Sequence, residues 1–226
     1  MESNMYIYAF SNHTEEVTET LSNKKMHLKK RVNRADNYIN LTLLGAEKCI
    51  EDTILAPESS LYVASNNGNL NSSVKILKDI FLNKQLPMPF TFLNGVNVST
   101  LFYVAKHFNI KGKTLFVDRF ESAIPQAFVD VKNGKTVLLG MVDEATEDLE
   151  LYRDRFQCET ITESSRWLLL LPQPQEDTPP IAQIIDIAWD ESSEERGDVA
   201  KLFTFLEEGE GVFDFKQNSL SFRVVR

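Results

Sequence analysis

The sequence predicts an α/β fold, a mixed and mostly parallel sheet flanked by helices. Three observations carry this. Apolar runs at residues 61–64, 114–118 and 136–141 are short and suit buried central strands. Segments with apolar residues at helical spacing lie between them. The resulting alternation of strand and helix is that of a sheet with crossover helices. The 226 residues, 42% of them apolar, are enough for one large domain or a small bipartite fold. Residues 1–189 make the main unit. Residues 190–226 are a C-terminal extension expected to pack on that domain or extend it.

Taken in order, residues 5–10 read as a short strand. Residues 11–23 are polar and read as a loop. Val32, Tyr38, Ile39, Leu43, Leu44 and Cys49 recur at helical spacing, predicting a helix over 28–52. The Pro57-Glu58-Ser59-Ser60 run breaks it before the strand at 61–64. Asn66-Asn67-Gly68-Asn69 is a turn whose side chains cap and tolerate left-handed backbone. A second helix spans 71–83, with Val74, Leu77, Ile80 and Phe81 on one face. Pro87 and Pro89 start an extended approach to a third helix at 96–108. That helix is apolar nearly all round, which predicts burial on both sides.

A strand at 114–118 follows, then a helix at 122–131 with Pro125 in its first turn, then the strand at 136–141. Residues 148–163 form a charged surface segment. Residues 167–171 are a strand, 172–180 a proline- and acid-rich loop, and 181–189 a strand antiparallel to the previous one. The extension holds a helix at 198–208 and two short strands or a tail over 212–225.

Composition excludes several classes. The formal charge of −9 argues against nucleic acid as the main partner. No run of eighteen apolar residues exists, so no membrane span is expected. The first residues lack a basic stretch followed by an apolar one, so no secretory leader is expected and the cytoplasm is the expected compartment. Cys49 and Cys158 lie far apart without metal-type partners. They read as free thiols, with a disulfide as the less supported alternative. No cofactor or metal is expected. One positive island stands out: Lys24, Lys25, Lys29, Lys30, Arg31 and Arg34.

Residues 111–123 read as a buried strand, a sharp turn and a helix start. That geometry presents a nucleophile at the positive end of a helix dipole. Here the turn offers Glu121, a carboxylate, which suits a helix N-terminus but is a weak nucleophile. The run Asn109-Ile110-Lys111-Gly112-Lys113-Thr114, the strand and turn after it, and the later Gly134-Lys135-Thr136 to Gly140-Met141-Val142-Asp143-Glu144 run resemble the N-terminal half of β-ketoacyl synthases. Residues 61–70 and 89–97 also look like family segments, and the resemblance covers Met5 to Trp189. It implies half of a thiolase-like fold. It places Glu121 where those enzymes carry the acyl-accepting cysteine, with Ser122 after it.

The resemblance also implies that the chemistry is gone. The family pairs that cysteine with histidines that follow it, whereas His13, His27 and His107 all precede the turn. No cysteine lies between Cys49 and Cys158. A half-length, cysteine-free relative resembles a short chain length factor, a subunit that pairs with a catalytic synthase in polyene- or fatty-acid-like type II pathways. The resemblance then implies that strand 114–118 meets its counterpart across the dimer axis. It also implies that helix 96–108 is the inner-layer helix, needing either the C-terminal extension or a partner to cover it. Candidate pocket and interface residues are Phe92, Asn94, Asn97, Thr100, Leu115, Phe116, Val117 and Phe120. The island Lys24, Lys25, Lys29, Lys30, Arg31 and Arg34 is the candidate dock for an acidic acyl carrier protein.

Each site has a plainer alternative. Glu121 is either a carboxylate with a role at the interface or a helix-start acid serving the dipole alone. Asn94, Asn97, Ser99 and Thr100 line a pocket or cap the third helix. Phe92, Leu101 and Phe102 gate a pocket or fill the core. The basic island docks a carrier protein or is a solvated face. His107 fits a satisfied interior or interface histidine better than an acid–base group. Two other functions stay open: a stand-alone acyl-thioester decarboxylase or hydrolase using Glu121, and a homodimeric binding protein.

Overall fold

The structure, a computed structural model, describes residues 5–17, 28–29, 32–51, 53–146, 150, 153–154, 161–175, 178–189 and 198–226. Its strands are β1 (Met5–Glu16), β2 (Ser60–Ala64), β3 (Thr114–Val117), β4 (Val137–Asp143), β5 (Thr162–Leu171), β6 (Ala182–Trp189), β7 (Val212–Gln217) and β8 (Leu220–Val225). They form one sheet in the order β3-β2-β4-β5-β1-β6-β8-β7. Its helices are α1 (Asn37–Ile50), α2 (Leu70–Phe81), α3 (Pro89–Asn94), α4 (Val98–Phe108), α5 (Phe120–Lys132) and α6 (Val199–Glu208).

The period-two alternation of each strand divides the core between two faces. Tyr62, Ala64, Leu139, Met141, Leu168 and Leu170 point to one face, where α5 and α6 pack. Leu61, Val63, Leu138, Val142, Trp167 and Leu169 point to the other, where α1 and α4 pack. Central strands apolar at every position are thus buried on both sides. Close approach across these layers requires small residues. A side chain at Gly45 would collide with Ser165 and Trp167, so α1 could not sit on β5. Gly112 lies against the Glu58 and Ser59 carbonyls, where Lys111 and Gly112 donate to the Pro57 carbonyl at 2.6 and 3.0 Å.

The sheet is mostly antiparallel, not mostly parallel. Only β2 with β3 and β2 with β4 run parallel. The β4–β5, β5–β1, β1–β6, β6–β8 and β8–β7 pairs are all antiparallel. An apolar run reads the same in either direction; the connection sets the sense, and only β2, β3 and β4 are direct neighbours joined through helices, whereas α1 and α6 carry the chain to strands that do not pair with the one before. For the same reason β6 does not pair with β5: β1 lies between them.

Other boundaries also differ. β1 runs to Glu16 because its polar half pairs with Ser164, Ser165 and Arg166 of β5, and buried Ser11 donates to the Gly45 carbonyl at 2.7 Å. α1 begins at Asn37, not residue 28: Asp36 caps it by accepting from the Ile39 amide at 3.0 Å, after Arg34 in left-handed backbone. The segment before the third helix is itself helical, α3, with Pro89 at its start. α5 begins at Phe120, which moves Pro125 into its second turn. Thr162 and Glu163, expected on the charged surface, belong to β5, and Glu163 is fully buried. Much of residues 148–160, Cys158 included, lies outside the described residues.

The segment after residue 197 is integral to the sheet. Leu202, Phe203 and Leu206 of α6 join Phe215, Leu220, Phe222 and Val224 of the β7–β8 hairpin in the core under α5. β7 is one outer edge. Its Asp214 and Lys216 are exposed, and Arg223 of β8 pairs with Asp214 at 3.1 Å and with Asp186 at 3.0 Å. β3 is the other edge, with half-buried Leu115, Phe116 and Val117.

Candidate functional site: a closed turn and an open apolar face

The strand-to-helix turn forms as its sequence dictates. β3 ends, Arg119 is extended, and Phe120 opens α5. Glu121 is the second helical residue, at the positive end of the dipole. It is closed off: only 6% exposed, with Oε1 accepting from Asn218 Nδ2 at the tip of the C-terminal hairpin. Its Oε2 is buried without a hydrogen-bond partner among the described residues. Phe120 packs edge-on to Phe215, 6.2 Å between centroids, and Phe215 stacks on Phe222 at 4.5 Å. The hairpin therefore sits over the strand-to-helix turn.

Beside it, at the carboxyl ends of β2 and β4, a cavity of about 390 Å³ is lined by Asn66, Phe120, Asp143, Arg166, Asp198 and Gln217, among others. Asp143 pins the turn after β2. It accepts from Ser65 Oγ at 2.9 Å and from the Asn66 and Asn67 amides at 2.8 and 3.2 Å. Burial raises its pKa above the usual carboxylate range, and these bonds oppose the rise. Arg166, whose pKa burial lowers, spends its donors on Asn12, Ser164 and Thr14 at 3.0, 2.8 and 3.1 Å.

A second cavity, about 330 Å³, lies between the starts of α1, α2 and α3. Asp36 accepts from Asn69 Nδ2 at 2.6 Å and Ser72 Oγ at 2.7 Å, and Asn94 Nδ2 donates to the Arg34 carbonyl at 2.9 Å. Burial lifts Glu144 to a pKa of about 7, although the Asn71 amide donates to it at 3.1 Å. Among the described residues no three His, Cys, Asp or Glu side chains converge to hold a metal ion.

The nucleophile-type side chains are engaged elsewhere. Cys49 is buried in α1, and burial pushes its thiol pKa up. His107 Nε2 lies 2.7 Å from Glu47 Oε1, both side chains under one-tenth exposed, tying α4 to α1. His13 Nδ1 contacts Lys48 Nζ at 3.1 Å. His27 lies outside the described residues.

The expected interface residues divide. Phe92 is 54% exposed. Asn94 and Thr100 are buried. Asn97 accepts from the Asn69 amide at 2.9 Å, so it braces the start of α2 rather than capping α4. Leu115, Phe116 and Val117 lie along the sheet edge, whereas Phe120 is buried under the hairpin. Of the basic island, Lys29 donates to the Glu51 carbonyl at 2.8 Å and Arg34 stacks on Phe90 at 4.0 Å. Lys24, Lys25, Lys30 and Arg31 lie outside the described residues.

The sequence reading missed the size of the open surface. α4 is not buried on both sides: Leu101 and Val104 face α1 and the sheet, while Val98 and Phe102 are 59% and 63% exposed. α2 buries none of its apolar side chains fully; Leu77 and Phe81 stand in solvent. It packs on α3, and α3 on α4. Among the described residues, sixteen large apolar side chains are exposed, and twelve fall between residues 77 and 102. Half-exposed side chains of this number present roughly 1,000 Å² of apolar surface, above the roughly 300–600 Å² of a typical monomer's largest patch. The C-terminal segment does not cover it, because α6 and the hairpin pack on the opposite face of the sheet. Amphipathic spacing in 71–83 marked the face, but spacing does not say whether a face meets its own sheet or another chain.

The two-faced sheet, with its parallel crossovers at one end and a nucleophile-type turn after an edge strand, defines a thiolase-like fold. Solved structures share it. A ketosynthase in complex with its chain length factor from Xenorhabdus doucetiae matches with a TM-score of 0.67 at 12% identity, over 99% of each chain. The ishigamide ketosynthase/chain length factor matches with a TM-score of 0.67 at 8% identity, over 87% of this chain and 66% of that one. A β-ketoacyl synthase from Burkholderia phymatum matches with a TM-score of 0.57 at 10% identity, over 89% and 68%. The chain thus has the fold of ketosynthases and chain length factors. No protein-family model matches it, and no curated protein matches its sequence. No helix among the described residues is long and apolar enough to cross a membrane.

Proposed function

We propose that this chain is a non-catalytic, chain-length-factor-like subunit that pairs with an active β-ketoacyl synthase and shapes its acyl pocket in a polyene- or fatty-acid-like type II pathway. One observation carries the reading: the uncovered apolar surface of α2, α3 and α4 adjoins the unpaired edge β3. A surface of this size matches one side of a permanent interface. Edge strands left bare invite pairing with another chain. The match to a chain in a solved ketosynthase complex over nearly its whole length supports the same partner class.

Glu121 supports no stand-alone thioester chemistry, because its carboxylate lies beneath the C-terminal hairpin and faces Asn218. In this reading it holds the hairpin over the turn. The acyl carrier protein of such a pathway would meet the complex through basic side chains, with Lys29 the described member of the island outside the apolar face, since Arg34 stacks on Phe90 of that face. Co-expression with the ketosynthase of its own source tests the proposal. A stable one-to-one complex by size exclusion with light scattering is expected. A chain that stays monomeric beside that synthase overturns it.

A further inference from the structure

The open face carries a charge pattern opposite to that of the whole chain. Residues 70–108, from the start of α2 to the end of α4, hold four lysines and one acid, Asp79, in a chain of formal charge −9. Lys75, Lys78 and Lys84 are exposed on and just after α2, and Lys106 is on α4. Two cations touch exposed rings of the apolar surface itself. Arg34 lies 4.0 Å from the Phe90 centroid, and Lys106 Nζ lies 5.7 Å from that of Phe102. Among the described residues, none of Lys75, Lys78, Lys84 and Lys106 is within ion-pair distance of a carboxylate. The acid nearest in sequence, Asp79, accepts instead from Asn83 at 3.1 Å.

We propose that these cations select the partner: the apolar face of α2–α4 takes a ketosynthase whose matching surface carries carboxylates, and it rejects a second copy of this chain. The inference rests on the proposed pairing and adds its electrostatic code. Two copies meeting through this face would bring one set of exposed cations against the same set on the other copy, with no described acid of α2–α4 but Asp79 to answer them. Like charges juxtaposed across an interface disfavour that pairing, while opposite charges steer the right one and speed encounter. The device answers a specific hazard. An uncovered apolar surface beside a bare strand edge would otherwise self-associate before its partner arrives.

The test measures association and dissociation rates of the purified chain with the ketosynthase of its own source, at low and high salt. The variants are K75E/K78E/K106E and its neutral form K75Q/K78Q/K106Q. All three positions are solvent-facing, and circular dichroism confirms the fold of each variant. At low salt the glutamate variant is expected to associate at least about tenfold more slowly, the glutamine variant to fall between, and dissociation to change little. The wild-type rate falls with salt, as screening requires. Mixing wild-type and glutamate chains without synthase is expected to give a mixed dimer that neither forms alone. Wild-type binding whose rate ignores both salt and the substitutions overturns the charge code and leaves the pairing intact. A wild-type chain that self-associates at low salt as tightly as it binds the synthase also overturns it, as does capture of this face by purified acyl carrier protein in place of the synthase. Failure of the wild-type chain to bind the synthase at any salt overturns the pairing itself.

Discussion

Phe102 separates packing within this chain from packing against another. Its ring is 63% exposed on α4, while its neighbour Leu101 is 4% exposed and faces α1. If the partner covers Phe102 fully, about 125 Å² of apolar surface leaves water there, worth about 3 kcal/mol at roughly 25 cal/mol per Å². Phe102→Ala should therefore weaken the complex about a hundredfold. It should lower the melting temperature of the isolated chain little, since the lost contacts are an edge-on Tyr103 and the Lys106 ammonium. Leu101→Ala should do the reverse, costing the fold about 2–5 kcal/mol through an internal cavity. Isothermal titration against the synthase, with thermal melts of each variant alone, reads both numbers. A Phe102→Ala complex within threefold of wild type refutes the reasoning. So does a common loss of affinity that merely tracks the loss of stability.

Three further outcomes follow from buried polar groups. Glu144 has its pKa raised by burial from the ordinary 4.5 to about 7. A folded value above the unfolded one means that the protonated group favours the fold: the contribution is complete below pH 4.5 and is lost as pH rises through about 7. Glu144→Gln should match wild type at pH 4 and exceed it at pH 8 by on the order of 3 kcal/mol in chemical denaturation; equal stability at pH 8 contradicts this. Removing one side of the His107–Glu47 contact by His107→Ala should destabilise the chain by about 3 kcal/mol at neutral pH, read by urea unfolding, with a loss under 1 kcal/mol counting against it. Asn218→Ala and Glu121→Ala should each speed amide exchange across residues 212–225, and the double variant should add nothing to either single one; independent, additive effects would show that the hairpin is not held through this contact.

The strands and helices were legible where local rules decide them. Leu61 to Ala64 and the turn at Asn66 to Asn69 follow from an apolar run and from side chains that cap and tolerate left-handed backbone, whereas α5 starts two residues before its expected first residue, with no side-chain cap to mark it. Three kinds of feature were not legible. Strand direction was not, since Trp167 to Leu171 is apolar in either sense and its partners are set by a connection. The polar half of β1 was not, because Ser11 and Asn12 find partners in Gly45 and Arg166, far off in sequence. The true first turn of α1 was hidden by Leu28 and Val32, which pack on the same core without being helical. At the site, the turn at Glu121 was readable from its strand and helix, but the hairpin that shuts it was not, because Asn218 lies 97 residues away. The brace from Asn97 to Asn69 likewise spans 28 residues.

The two rims of the sheet differ in kind. Along β7, Asp214 and Lys216 project into solvent, and Arg223 straps Asp214 to Asp186. Such charge guards a border against addition. Among the described residues the β3 border keeps its charges to its ends, Lys113 before it and Asp118 and Arg119 after it, with Leu115, Phe116 and Val117 half-open between them. Among the described residues, an added strand would therefore meet less opposition at the β3 border than at the β7 border, so the two ends of one sheet are unequal as templates.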